Sequence, residues 1–211
     1  YRYKRIKRMR RIREAEKNEF PETLTLETTN LCNIACIKCP RADLTRPLGF
    51  MDYDFFKKVI DESLQYGKRR HIGMVMLGEA TMHPRLIDMV SYMHENDAAH
   101  DVTLNTNALL LEKKLDLFEP SPYLFFSVHL DGLKDHHDKA VSQKGVFDRA
   151  VSAIKAAKAK GFTVNVNATI FDGHPADEIA KFLDFTTELG VGVSMSPGYA
   201  YERAPDQEHF L

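Results

Sequence analysis

The feature that most constrains the fold is a regular alternation of strand-like and helix-like segments. Strands alternating with helices predict βα units around a parallel sheet. Six units are too few for an eightfold barrel, so we predict an α/β fold built as a partial (β/α)6 TIM-like barrel. The predicted strands are the apolar, β-branched stretches 23–29, 71–77, 101–105, 123–130, 162–170 and 191–196. The predicted helices are 53–67, 84–96, 109–118, 146–161 and 175–190, three of which end at a glycine: Gly67, Gly161 and Gly190.

The N-terminal segment differs in charge from the rest of the chain. Eight Lys or Arg residues fall within the first thirteen, while Tyr3, Ile6, Met9 and Ile12 recur at every third position. We interpret residues 1–20 as a basic helical extension and residues 21–211 as the core domain. Such a helix could contact an anionic membrane peripherally. The alternatives are a solvated helix packed on the core, or a partly frayed terminus.

Composition narrows the range of partners and compartments. The net charge of the 211 residues is −1, so we expect no nucleic-acid partner, and 44% of residues are hydrophobic, enough for a substantial core. No apolar run is long enough to span a membrane, and the N-terminus is basic and not signal-like. We predict a cytoplasmic protein, with the inner face of the membrane as its peripheral contact. About fifteen residues follow the last strand, so we expect a truncated chain or one without a final helix.

All three cysteines lie in one short loop, "TTNLCNIACIKCPRAD", as Cys32, Cys36 and Cys39. An odd number leaves one thiol outside any internal disulfide, and the close spacing favours metal chemistry in a reducing compartment. The loop follows the first predicted strand, at the carboxyl end where active sites of such barrels collect. Thiolates at CxxxCxxC spacing can hold one face of an iron–sulfur cube and leave one iron open. A zinc site completed by a histidine, or three unrelated thiols, are the alternatives.

This cysteine motif after the first strand of a βα barrel resembles that of the radical S-adenosylmethionine (SAM) superfamily. The resemblance implies that the three cysteines bind a [4Fe-4S] cluster and that SAM chelates its fourth iron. It further implies electron transfer from the cluster, which cleaves SAM into methionine and a 5′-deoxyadenosyl radical. A flavodoxin- or ferredoxin-type protein would supply the electron. Lys38 stands where the family often has an aromatic or apolar residue, and its backbone would serve the adenine of SAM.

A second segment, "MLGEATMHP", is similar to the family's GGEP motif, whose backbone meets the methionine amino group of SAM. By this resemblance Gly78 permits a close backbone approach and Glu79 supplies complementary charge. Leu77 and Ala80 depart from the motif. Taken alone, a Gly-Glu dipeptide is an ordinary loop sequence.

Polar residues also stand at the ends of the later strands, in segments similar to those that contact SAM in relatives. Asn107, Ser127 and His129 could donate or accept hydrogen bonds at the ribose hydroxyls or the carboxylate, and Asn167 is a further candidate. Each alone is more typical of a hydrogen-bonded strand end or a turn. Together, above the cysteine loop, they indicate a cofactor wall.

The segment "KDHHDKA" (134–140) invites a metal interpretation through His136 and His137. Adjacent histidines do not share one helix face. We therefore expect a solvated loop or a helix start there, with Asp131-Gly132 before it as a plain turn.

A finer resemblance covers residues 105–211, which are similar to the radical SAM adenosyl transferases of hopanoid biosynthesis. Matching stretches include "TNALLL" and "PSPYLFFSVHLDGL". The resemblance implies addition of the adenosyl radical to a hopene, an isoprenoid lipid, giving adenosylhopane. Those transferases commonly have a cysteine at the position of Asn105. Since asparagine is a poor hydrogen-atom donor, we expect Asn105 to affect termination, with Tyr199 as a substitute donor.

Two other functions remain open from the sequence. The first hundred residues, with "ETTNLCNIACIKCPR" and "GFMDYDFFKKVIDE", look more like radical SAM enzymes that modify peptides or small metabolites. This predicts hydrogen abstraction from a peptide or a polar metabolite. A non-catalytic iron–sulfur or zinc-binding module is the alternative from another class, and it would need no SAM wall.

Overall fold

The fold is taken from a computed structural model that describes residues 20–67, 69–74, 76–171 and 173–198. The predicted helix over residues 1–20 therefore lies outside the described residues, except for Phe20. Its ring stacks on that of Tyr66, with the ring centres 4.6 Å apart. Tyr199 also lies outside the described residues.

Six parallel strands form one sheet in sequential order, curled into a half-barrel. All six predicted strands are present, and their bounds shift by a few residues. β1 is shorter than predicted because the chain after Leu26 turns into the cysteine loop, where Thr29 forms an isolated antiparallel bridge with Phe50. The strands are β1 (Thr23–Leu26), β2 (Arg70–Met74), β3 (Ala99–Thr106), β4 (Leu124–His129), β5 (Thr163–Ile170) and β6 (Gly192–Pro197).

Helices connect the strands, as the sequence predicted. Gly67, Gly161 and Gly190 all have positive φ, the left-handed conformation that ends a helix and that glycine adopts without strain. The third predicted helix is shortened to a single turn and continues as a 3-10 turn over Leu115–Leu117. The α-helices of the described residues are α1 (Tyr53–Leu64), α2 (Leu86–Glu95), α3 (Leu111–Lys114), α4 (Lys134–Ala140), α5 (Val146–Ala159) and α6 (Ala176–Glu188).

The helix α4 corrects the interpretation of "KDHHDKA" in part. The segment is helical, as one of the two expectations allowed, but it is not wholly solvated. His137 is fully buried, and its Nδ1 accepts a hydrogen bond from the backbone N–H of Asp131 at 3.2 Å. Burial follows from position, because α4 is pressed between the end of β4 and the neighbouring α5.

The two faces of the sheet differ in character. The face packed against the helices forms the main core and consists of apolar residues such as Ile72, Leu104, Phe126 and Val166. Because side chains alternate along a strand, the residues between these point to the concave face of the half-barrel. That face is only partly buried and mostly polar. The carboxyl ends of the strands, where the cysteine loop lies, form its upper rim.

No helix among the described residues is long and apolar enough to cross a membrane.

Candidate active site

The cysteine loop is held against the rim by its own backbone. It follows β1, and the residues after Cys39 form a short 3-10 turn that begins with Pro40. The N–H of Cys39 donates to the Cys36 carbonyl at 3.2 Å, and the N–H of Ile37 donates to the Ala140 carbonyl at 3.0 Å. The loop is thereby tied to the end of α4. The three cysteines are partly buried and form no disulfide.

Gly78 lies where the β2 end passes beneath the cysteine loop. Its φ is +90°, and a Cβ at this position would be 2.3 Å from the Thr29 carbonyl oxygen and 2.8 Å from the Asn30 Cα. Neither contact can be relieved by a side-chain rotation, because both partners are backbone atoms. Glycine is therefore required here by the approach of the cysteine loop itself.

Glu79 is a buried hydrogen-bond acceptor that joins two strand ends. Its carboxylate accepts from the N–H and hydroxyl of Thr81, from the hydroxyl of Thr106 at 2.6 Å and from the N–H of Asn107 at 2.7 Å. Its own N–H donates to the Leu31 carbonyl at 2.7 Å. Glu79 thus holds the ends of β2 and β3 and the cysteine loop together. This positioning role is additional to the predicted charge complementarity with SAM.

Asn107 connects this hydrogen-bonded group to the cysteines. Its Nδ2 donates to Asn33 Oδ1 at 2.8 Å and lies 3.8 Å from the Cys32 sulfur, while its Oδ1 accepts from the Leu109 N–H. An N–H that points at a cysteine sulfur stabilises the thiolate form. The amide of Asn107 is thus committed to the cysteine loop and to its own turn, and contact with the ribose stays a prediction.

The other side of the rim carries a histidine–aspartate pair. His129 Nε2 lies 2.8 Å from Asp131 Oδ1, and the same carboxylate oxygen accepts from the N–H of Thr169 on β5. Burial, the largest single influence, would lower the pKa of His129, but the charge and hydrogen bond of Asp131 together with the charge of Glu79 exceed it and raise that pKa. For Asp131, the effect of burial is likewise exceeded by the combined charge and hydrogen bond of His129, the hydrogen bond from the Thr169 N–H and the nearby His137, so its pKa is lowered. Both shifts favour a protonated His129 and an ionised Asp131, which form an imidazolium–carboxylate ion pair.

A cavity of about 390 Å³ lies between these two sides, of a size that holds a small-molecule ligand. It brings together most of the predicted site residues. Among the predicted site residues that the structure describes, Ser127 is the exception: it lies on the same face of β4 as His129 but one pleat deeper in the barrel, and it does not line the cavity. The predicted residues that do line the cavity are Cys32, Cys36, Lys38, Cys39, Gly78, Glu79, Asn105, Asn107, His129 and Asn167.

The thiols themselves fit a cationic metal centre. Burial raises the pKa of Cys32, and burial together with the neighbouring Cys39 and Cys32 raises the pKa of Cys36 well above its usual range. Thiolates at Cys32 and Cys36 are therefore unfavourable here unless metal charge compensates them. An iron–sulfur cube, which binds each sulfur to a different iron, would supply that charge.

A parallel half-barrel with three cysteines above its first strand and a cavity of mixed polar and apolar lining beside them is the arrangement of an iron–sulfur protein of the partial-barrel class. The chain belongs to the Radical SAM superfamily, whose sequence signature matches residues 26–186. This superfamily uses a [4Fe-4S] cluster and SAM.

Similar sequences and structures agree with this assignment. GTP 3′,8-cyclase 1 of Mycobacterium tuberculosis is 27% identical over 186 residues, covering 81% of this chain and 49% of the cyclase. The tungsten-containing aldehyde ferredoxin oxidoreductase cofactor-modifying protein of Pyrococcus furiosus is 33% identical over 96 residues, covering 46% of this chain and 27% of that protein. Streptococcus suis SuiB bound to SAM shares the fold, with a TM-score of 0.74, 16% identity, and coverage of 98% of this chain and 49% of SuiB. This chain spans about half the length of the cyclases it matches.

Sequence reasoning missed several residues of the site. Asp131 was interpreted as part of a turn, although it is buried and holds His129, and Thr106 was not considered. A signal for Asp131 was available, since it stands two residues after His129 and thus shares its strand parity. Thr169 and Phe171 also line the cavity from the end of β5, and no local pattern distinguished them. The resemblance to hopanoid transferases is not confirmed by the relatives named above.

Proposed function

We propose that this chain is the core of an enzyme that reductively cleaves SAM and abstracts a hydrogen atom from a polar acceptor, either a small metabolite or a peptide. The observation that carries this proposal is the polar concave face of the half-barrel, which leads up to the cysteine cavity. The described residues of that face include Thr25, Thr103, Asn105, Ser127, Thr163, Asn165, Asn167 and Ser194, all of which are partly or largely exposed.

A polar face of this kind selects among acceptors. When a hydrocarbon displaces the water bound to hydroxyl and amide groups, those groups are left without hydrogen-bond partners. The free-energy cost is about 1–3 kcal/mol for each group. A nucleotide, a polar metabolite or a peptide would replace those hydrogen bonds. A polycyclic isoprenoid would not, although Ile34, Met76 and Phe171 offer it some apolar contact near the rim.

The residues around the cavity would have separate roles in binding the cluster and SAM. The cysteines hold the cluster, and the Glu79–Asn107 group fixes the cysteine loop against β3. His129, oriented by Asp131, presents a charged imidazole to an anionic group such as the SAM carboxylate. Asn167, in the second half of β5, would donate to a ribose hydroxyl. When bound and reduced, the cluster supplies the electron that splits SAM into methionine and a 5′-deoxyadenosyl radical.

The names of several relatives are in keeping with a polar acceptor. Curated relatives that match about four fifths of this chain include GTP 3′,8-cyclases, and SuiB has been captured with its precursor peptide SuiA. GTP and a peptide are both polar molecules. Electron delivery by a flavodoxin- or ferredoxin-type protein, and peripheral contact of the basic N-terminus with an anionic membrane, stay proposals.

Adenosyl addition to a hopene is a second candidate function, and Asn105 is the residue that bears on it most directly. Asn105 lines the cavity at the end of β3, on the face predicted from its parity with Asn107. A residue there would face an acceptor radical. Asparagine has no hydrogen atom that is readily donated, so a hopene adduct would terminate poorly, and Asn105→Cys should raise its yield.

The test of the proposed function is an anaerobic reaction of the cluster-loaded chain with SAM and dithionite, with 5′-deoxyadenosine measured by mass spectrometry. Asn167→Ala should reduce 5′-deoxyadenosine formation by roughly tenfold at limiting SAM, as expected for about 1–1.5 kcal/mol of lost binding. Asn165→Ala is the matched control, because Asn165 lies two residues earlier on the same strand face but outside the cavity. Equal losses in both variants would contradict the predicted SAM contact.

Acceptors are then compared under the same conditions. Hydrogen abstraction from a deuterated acceptor transfers deuterium to 5′-deoxyadenosine, whereas addition gives an adenosyl adduct and no deuterium transfer. We expect deuterium transfer from a polar acceptor, with deuterated GTP and a deuterated peptide as the first two probes. An adduct with hopene and no transfer from either polar probe would favour the transferase.

A further inference from the structure

Two histidines from distant parts of the chain meet at the rim, beside the β4 and β5 ends. His136 lies in the first half of α4, and His174 follows β5. Their rings stack with centres 3.8 Å apart and planes inclined by 8°. The backbone of Gly132 lies against both rings, since a Cβ at that position would be 3.2 Å from His136 and 3.3 Å from His174. Glycine at 132 therefore makes room for the pair.

His174 carries hydrogen-bonding capacity that the described residues do not satisfy. Both of its ring nitrogens are out of contact with solvent, and neither has a hydrogen-bond partner within the described part of the chain. A neutral imidazole has one donor and one acceptor nitrogen, and burial of both without partners is unfavourable by a few kcal/mol. Buried polar groups in folded proteins are nearly always satisfied, so an unsatisfied pair indicates a missing ligand.

A carboxylate completes a set of three ligands. Glu178, in the first turn of α6, is exposed, and one oxygen of its side chain lies with a nitrogen of each histidine inside a 4.8 Å limit. Two imidazoles and a carboxylate are a donor set that zinc uses in sites with three protein ligands and one open position. We propose that His136, His174 and Glu178 form a second metal site, separate from the cysteines, that binds Zn²⁺.

The charge state of the two histidines agrees with metal binding. Burial, followed by the neighbouring His174, lowers the pKa of His136, and burial lowers the pKa of His174. Neutral imidazoles keep the lone pair that a metal ion requires. Two neutral rings are also poor partners for a phosphate or carboxylate ligand, so a cation is favoured over an anion at this site.

Binding requires a small movement of the rings. In-plane lone pairs of stacked rings run parallel, whereas the nitrogens of a tetrahedral zinc site converge and lie about 3.4 Å apart. A rotation of one imidazole about its Cβ–Cγ bond, with Glu178 turning from solvent, brings the three atoms inward from their 4.8 Å limit. Glu178 can follow because its side chain is exposed.

The proposed ion would join two connections at the mouth of the cavity. One is the β4–α4 connection, which carries Asp131, and the other is the segment after β5, where the His174 N–H donates to the Phe171 carbonyl at 3.2 Å. Phe171 and Asp131 both line the cavity. Zinc at this position would fix that side of the mouth and leave a coordination position open, independently of the reaction at the cluster.

The test is zinc titration of the untagged, cluster-loaded chain against a chromophoric chelator under anaerobic conditions, where the cysteines are already occupied. We expect one Zn²⁺ bound per chain beyond the iron. His174→Gln and Glu178→Gln should each weaken zinc binding by at least about 100-fold, since loss of even an outer partner of a ligand costs 10–100-fold. His94→Gln is the matched control: His94 also stacks on a ring, that of Tyr123, but elsewhere in the fold.

A loss of zinc binding in Glu178→Gln could not be attributed to misfolding, because Glu178 is exposed and the substitution preserves its size. Iron content should be unchanged in all three variants. Should cluster assembly fail, the same titration on the thiol-alkylated chain keeps the two sites separate. Stoichiometric zinc that survives both His174→Gln and Glu178→Gln, or no zinc binding by the unaltered chain, would overturn the proposal.

Discussion

The two sides of the rim reach a fixed geometry by different means. On the β1–β3 side, backbone atoms press directly on Gly78, and the carboxylate of Glu79 accepts four hydrogen bonds. On the β4–β5 side, Asp131 links His129, the N–H of Thr169 and, through its own N–H, His137. The β1–β3 side depends on close backbone packing and on the buried carboxylate of Glu79. The β4–β5 side depends on histidines next to Asp131.

This difference suits the tasks of the two sides. A cluster with three cysteine ligands tolerates little displacement of its loop, so backbone contacts and a buried acceptor are appropriate beside it. A side that receives SAM and an acceptor benefits from groups whose charge and orientation respond to a ligand. We therefore expect the β1–β3 side to be sensitive to substitution and the β4–β5 side to be sensitive to pH.

The largest effect is expected at Gly78. Gly78→Ala combines a left-handed conformation, unfavourable by about 1–2 kcal/mol for other residues, with a clash against fixed backbone that adds about 1–3 kcal/mol. We expect a loss of about 4 kcal/mol in the free energy of unfolding, measured by urea denaturation, and weakened cluster binding. Gly49→Ala is the control, because a Cβ there meets nothing within 4 Å. Similar losses in both variants would show that the cysteine loop is not packed as described.

The next largest effect is a loss of folding stability at low pH that originates on the β4–β5 side. Burial, followed by His129, lowers the pKa of His137 from 6.5 to about 4. As pH falls below 6.5, the unfolded chain takes up a proton that folded His137 accepts only near pH 4. Stability is thus lost progressively between those values, by roughly 3 kcal/mol. Urea denaturation at pH 7 and pH 4.5 should show most of that loss.

His137→Asn provides the comparison for this pH effect, since an asparagine oxygen can accept the Asp131 N–H but does not titrate. We expect a lower stability at pH 7 from the smaller side chain, and a flatter dependence on pH. A residual slope should remain from His83, His136 and His174, whose pKa values are also lowered, in each case chiefly by burial. An unchanged slope in His137→Asn would contradict the assignment.

The smallest effect concerns Glu79. Glu79→Gln keeps one acceptor oxygen but places an NH₂ group against donors, so we expect a loss of about 2 kcal/mol in stability, within the range for hydrogen bonds to charged groups. Glu112→Gln is the matched control, because Glu112 is exposed and accepts a single hydrogen bond from Ser152. If Glu79→Gln were as mild as the control, the described role of Glu79 in joining β2 to β3 would be wrong.

The sequence predicted the number and order of the strands and the position of the cysteine loop well, because both depend on local periodicity and on parallel topology. The loop must lie at a carboxyl edge once β1 is a strand, and alternation alone placed Asn105 on the cavity face. Helix α4 was less clear, since its seven residues give barely two turns of pattern.

Contacts between distant segments could not be predicted in the same way. His136 and His174 are separated by a strand and a helix, and only the path of the chain over β5 brings them together. The sequence argument about His136 and His137, which set their pairing aside because adjacent histidines do not share a helix face, therefore gave no indication of His174. The requirement for glycine at 78 likewise comes from the backbone of residues 29–31, and no pattern within "MLGEATMHP" reveals it.

The measurement that tests the central claim most directly is the content of iron and acid-labile sulfide in the anaerobically reconstituted chain, together with SAM cleavage. The claim is that Cys32, Cys36 and Cys39 alone hold a [4Fe-4S] cluster that acts on SAM. We predict about four irons and four sulfides per chain, formation of 5′-deoxyadenosine with dithionite, and loss of both in Cys36→Ala. Tetrahedral zinc without sulfide in the unaltered chain, or a cluster and SAM cleavage that survive in Cys36→Ala, would contradict it.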